Sequence, residues 1–112
     1  MSWDATLECT ACRCSGFEMN YTHNCNPMIT MALAQSGTLI EMSWWKVLDG
    51  MSAPTGAKFL TDIIVELDSN PARYRAMDPP NGWGGYDTLL QVLAQMLTAS
   101  LTEVPSTWQV SA

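Results

Sequence analysis

Positive charge is scarce in this chain. Five Lys and Arg stand against eleven Asp and Glu in 112 residues, a formal net charge of −6, so a phosphate backbone would be repelled and nucleic-acid binding is not expected. Charged residues of both signs make up only 14%, too few for a tail kept open by its charges. No apolar run approaches the ~18 residues of a membrane span. The opening Met1-Ser2-Trp3-Asp4 lacks the basic-then-apolar order of an export signal. A cytoplasmic chain without membrane contact is therefore expected. No internal repeat, low-complexity tract or Gly-x4-Gly-Lys phosphate loop occurs. The length leaves room for one domain, residues 1–112, and no second. What is present suits a core: 47% apolar residues, with five Trp and eight Met.

Periodicity divides the chain into elements. Trp3, Ala5, Leu7 and Cys9 alternate with polar residues, as do Phe17, Met19 and Tyr21, which predicts two antiparallel strands joined by a turn. Asn26-Pro27 predicts a helix start, with Met28, Ile29, Ala32 and Leu33 as its stripe. Leu39 to Leu48 is apolar on all sides and is assigned as helix, ended by Asp49-Gly50. Phe59, Leu60, Ile63, Ile64 and Leu67 mark a long amphipathic helix, and Tyr86, Leu89, Leu90, Leu93, Met96 and Leu97 mark the last one. Pro71 to Met77 is a brief helical turn, and Thr107 to Val110 is a terminal strand placed beside the first. The expectation is a small α+β domain: an antiparallel sheet of two or three strands covered by three to four helices.

Four cysteines, Cys9, Cys12, Cys14 and Cys25, crowd into the first quarter of the chain. In a reducing compartment such a cluster points to metal more often than to disulfides. Cys9-x2-Cys12 is half of a zinc knuckle, and Cys25 with one of Cys14 or His23 offers the remaining two ligands of a structural zinc. Buried unliganded thiols and a redox cysteine are the competing readings.

Two further segments carry candidate sites. Asn20, Thr22, His23 and Asn24 could form a polar patch at the end of the second strand, or Thr22 and Asn24 could simply satisfy backbone groups at a strand-to-helix junction. Asp78-Pro79-Pro80-Asn81-Gly82-Trp83-Gly84-Gly85 cannot continue a helix. Its glycines before a helix suggest a phosphate cradle only weakly, and a glycine-flanked Trp83 reads rather as a plug for the core. Arg73 and Arg75 nearby fall on different helix faces. Asp62, Glu66 and Asp68 read as a solvated face. Trp44 and Trp45 cannot both enter one core from one helix, so at least one should be exposed as an anchor for a partner or for a second copy of the chain.

The stretches Asn20 to Asn24, Pro27-Met28, Trp45 to Met51 (WKVLDGM) and Pro71 to Tyr86 (PARYRAMDPPNGWGGY) resemble a family of uncharacterised small phage and prophage proteins. The likeness rests on an NxTxN stretch after an early strand and an NGWG-Y loop opening the last helix. It implies an accessory protein acting in the cytoplasm of the host cell and brings no reaction with it. With no recognisable catalytic constellation, the expected function is a protein-binding module, acting on a host or phage protein and inhibitory in effect. Its contact residues are expected among Asn20, Thr22, His23, Asn24, Trp44, Trp45, Asn81, Trp83 and Tyr86. A homodimer would use the same aromatic surface. The alternatives are a small-ligand binder, with a pocket between residues 20–24 and 81–86, and a metal-dependent enzyme.

Overall fold

The computed structural model describes residues 2–12, 15–38, 40 and 42–112, with only the backbone of Ser15. Three strands form one antiparallel sheet in the order β2-β1-β3: β1 (Ser2–Cys9), β2 (Ser15–Thr22) and β3 (Ser106–Ser111). Alternation does the sorting. Trp3, Ala5 and Leu7 of β1 sit opposite Tyr21, Met19 and Phe17 of β2, while Val110 and Trp108 of β3 flank Ala5 and Leu7, so one face is apolar apart from Ser106 at its end. Asp4, Thr6, Glu18, Asn20 and Gln109 fall on the other face, which no helix covers among the described residues. The register slips between Leu7 and Glu8, leaving Gly16 as the extra residue of a bulge at the start of β2.

Five helices follow among the described residues, after a 3-10 turn at His23–Cys25: α1 (Asn26–Gln35), α2 (Trp44–Leu48), α3 (Ala53–Ser69), α4 (Pro71–Arg75) and α5 (Tyr86–Thr102). The expected three to four becomes five because two of them are only five residues long. The Leu39 to Leu48 assignment is corrected: the helix starts only at Trp44, with Leu39 itself outside the described residues. The all-round apolar run reflects burial of Trp44 and Leu48 in the core and half-burial of Ile40, Trp45 and Val47, not a long helix.

Helix α3 starts on a capping hydrogen bond, Ser52 Oγ accepting from Thr55 N, with Pro54 in its first turn. It buries Phe59, Leu60, Ile63 and Leu67, each worth about 1.5–3 kcal/mol of transfer free energy. It lies over β3, where a Cβ on Gly56 would come 2.5 Å from the Trp108 indole. Helix α5 runs along β2 in the opposite direction: Gly84, just before its start, packs on Thr22, and Glu103, just after its end, packs on Gly16. Ser100 ties the layers together, its hydroxyl donating to the Ala53 carbonyl (2.6 Å) and accepting from the Trp108 indole N–H (3.0 Å).

Candidate functional site at the junction of two motifs

Strand β2 ends where Thr22 turns its hydroxyl onto the next turn, Oγ1 accepting from Asn24 N at 3.2 Å. This is the local backbone role open to such a residue at a strand-to-helix junction. The same junction receives the 78–86 loop. Gly84 sits there at φ +79°, where a Cβ would lie 2.9 Å from Thr22 Cγ2 and 3.1 Å from both Asn24 Cβ and Cys25 N. Only glycine combines that left-handed backbone with so close an approach. Three further contacts brace the loop. Asn81 Oδ1 accepts from Trp83 N (3.0 Å), Gly82 N donates to Pro79 O (3.0 Å), and Asp78 Oδ1 accepts from Tyr86 N (2.8 Å) at the start of α5. Asp78 thereby supplies both a cap and a negative charge where the helix dipole favours one.

Asn24 Nδ2 reaches Asn81 Oδ1 at 3.5 Å, and between the two segments lies an open cleft of about 530 Å³ lined by His23, Asn24, Pro27, Met77, Pro79, Pro80 and Asn81. The Trp83 side chain is turned outward and is 68% exposed. The plug reading of Trp83 is therefore corrected. Tyr86 fills the core instead, its hydroxyl donating to the Leu67 carbonyl at 2.6 Å. Burial raises the Tyr86 hydroxyl above its ordinary pKa, with Asp68 and Asp87 adding to the shift and Arg75 opposing it.

The remaining candidates scatter. Asn20 points to the uncovered sheet face and donates to Asp4 Oδ1 at 2.8 Å, away from the cleft. Trp44 is corrected as a surface anchor: it is 1% exposed, stacks edge-on against Trp3, and donates its indole N–H to Asn26 Oδ1 at 2.8 Å. Trp45 is half-buried, with the Lys46 ammonium 5.4 Å from its ring centroid. Of the nine contact candidates, His23, Asn24 and Asn81 meet at the cleft, with Trp83 two residues on from Asn81. Met77, Pro27, Pro79 and Pro80 also line it, and the proline loop is the only sequence signal that pointed to them.

The described zinc candidates, Cys9, Cys12, His23 and Cys25, lie toward opposite ends of the hairpin. Pairing of Ser2 with Thr22 at one end of the hairpin and Glu8 with Ser15 at the other places Cys9 and Cys12 about 20 Å from His23 and Cys25 at ~3.4 Å per residue. Cys25 is moreover buried and donates its thiol to the Thr22 carbonyl at 3.2 Å. Burial pushes its pKa up to about 11. Cys14 lies outside the described residues. Among the described residues no group of three or more His, Cys, Asp or Glu is placed to hold a metal.

Nearby charges are occupied. Arg73 contacts Glu66 (3.4 Å), and Arg75 forms a two-pronged pair with Asp87 (2.9 and 3.0 Å), so the two arginines do act apart. Glu66 is corrected from solvated residue to structural hub, because its Oε2 also accepts from Asn70 Nδ2 (2.9 Å) and the Tyr74 hydroxyl (2.8 Å). No helix among the described residues is long and apolar enough to cross a membrane. Comparison with known proteins returns no matching family profile, no matching curated protein and no matching solved structure.

Proposed function

We propose that the chain is a protein-binding module whose contact site is the 78–86 loop and the adjoining cleft, with Trp83 as its anchor. The observation that carries this reading is a 68% exposed tryptophan on a loop held by a left-handed glycine, an Asn81 turn and an Asp78 cap. Tryptophan is among the residues most enriched at interface hot spots, and a braced loop loses little entropy when it docks. The partner would offer an apolar pocket for the indole and donors or acceptors for Asn24 and Asn81. The resemblance to phage accessory proteins suggests a phage or host protein in that role, and occupying its surface would block its other contacts. Catalysis gains no support here, since the neighbouring Cys25 thiol is sealed in the core and held protonated.

The cleft itself favours the second reading, a small-ligand binder, because about 530 Å³ with two amides and an imidazole falls within the usual range of ligand pockets. Native mass spectrometry of the chain recovered from its host cells separates the two. A protein at fixed stoichiometry supports the module, and a small mass displaced by Asn24→Ala supports the ligand. A structural zinc remains a proposal for the hairpin tip alone, with Cys9 and Cys12 as its described ligands. Unchanged metal content in Cys9→Ser would end it.

A further inference from the structure

The two edges of the sheet are treated differently. The outer edge of β3 is covered by the 49–52 segment: Gly50 N donates to Trp108 O, Trp108 N to Met51 O, and Val110 N to Asp49 Oδ1, all at 2.8–2.9 Å. The outer edge of β2 has no such cover among the described residues. From Phe17 to Thr22 it carries no proline and no lysine, the usual protections of an exposed edge, and a single charge, Glu18. Beside it lies α5. From Thr88 to Thr102 this helix has no charged residue, although Gln91, Ala94, Gln95, Thr98, Leu101 and Thr102 face solvent. Exposed helix faces ordinarily carry charge, and depletion of charge marks interface cores. A groove of about 530 Å³ lies between the start of β2 and the C-terminal half of α5, lined by Gly16, Phe17, Ala94, Thr98 and Thr102, with Glu103 at its end.

From this geometry we infer that β2 and α5 together form a homodimer interface, in which β2 of one copy pairs antiparallel with β2 of another about a two-fold axis at Met19. This register sets Phe17 opposite Tyr21 of the second copy and Glu18 opposite Asn20, so no like charges face each other along the paired strands although each copy carries −6. Aromatic pairs and a carboxylate–amide pair are favourable cross-strand neighbours. The three-stranded sheets become one of six strands, and the two α5 helices meet beneath the join through uncharged side chains. The lengths match. Eight residues of strand span about 26 Å and seventeen of helix about 25 Å. The wall they form is on the order of 400–500 Å² in plan, below the ~800 Å² per partner of a standard interface, so the dimer is concentration-dependent. The proposal does not rest on the Trp83 site.

Sedimentation equilibrium from micromolar to millimolar protein tests it. The expected result is a reversible monomer–dimer equilibrium that Thr98→Glu weakens at least tenfold without changing the circular dichroism. Met19→Cys is expected to give, on oxidation, a covalent dimer whose disulfide maps to residue 19 of both copies. A chain monomeric throughout overturns the proposal. So does a dimer that tolerates Thr98→Glu and yields no 19-to-19 disulfide, or a β2 edge found occupied by a different protein.

Discussion

Replacing Gly84 or Gly82 by alanine separates two effects that the 78–86 loop combines. Both glycines have left-handed backbones, at φ +79° and +77°. A Cβ on Gly82 meets nothing within 4 Å, whereas one on Gly84 meets Thr22, Asn24 and Cys25 at 2.9–3.1 Å. Left-handed alanine costs about 1–2 kcal/mol, and the lower flexibility of the unfolded chain returns about 0.4–1 kcal/mol. Gly82→Ala should therefore destabilise by about 1 kcal/mol. Gly84→Ala carries the same strain plus about 1–3 kcal/mol for overpacking, because one of the atoms in the way is backbone and cannot rotate aside. The expected loss is about 2–4 kcal/mol, a large part of the ~5–15 kcal/mol that holds a domain together. Urea denaturation of both variants, read by tryptophan fluorescence and circular dichroism, gives the difference directly. Equal losses would refute the close docking of the loop on the end of β2.

Ser100→Ala should cost about 2–3 kcal/mol by thermal or urea unfolding, since it leaves the Trp108 indole N–H without an acceptor inside the core. Trp108→Phe in that background should show strong coupling in a double-mutant cycle. The Cys25 thiol is raised by burial from 9.0 to about 11, so its neutral form contributes stability that is complete below pH 9 and lost as pH rises toward 11. Cys25→Ala should flatten the urea midpoint across that window, and the native thiol should resist alkylation until the chain unfolds. Tyr74, raised by burial and by its hydrogen bond to Glu66 to about 12, shifts stability in the same direction only at still higher pH.

The strands and long helices were legible because each buries a single face. Trp3-Ala5-Leu7 and Phe59-Leu60-Ile63-Leu67 repeat with the periods of strand and helix, and the paired sheet and packed α3 follow from them. Leu39 to Leu48 failed because apolar residues on all sides carry no period to read. The cysteine spacing was hard to read for a different reason. Cys9 and Cys25, sixteen positions apart, look close along the chain, but a hairpin of two eight-residue strands carries the second to the far end of the sheet. The two polar segments were individually visible, and their meeting is a tertiary fact set by Gly84. Ser100 and Glu66 had no signal at all, since nothing local distinguishes a serine or glutamate that serves a distant indole or tyrosine.

The most direct test of the binding-module claim is quantitative affinity capture from an extract of the cells that express the protein, with the native chain, Trp83→Ala and Thr98→Glu as parallel baits. The account predicts one protein, at fixed stoichiometry, held by the native chain and by Thr98→Glu and lost from Trp83→Ala. The unfolding free energy of Trp83→Ala should lie within about 0.5 kcal/mol of the native value, as for an ordinary surface substitution. Equal capture by the native chain and Trp83→Ala, or no captured protein at all, would contradict the assignment of the 78–86 loop as the contact site.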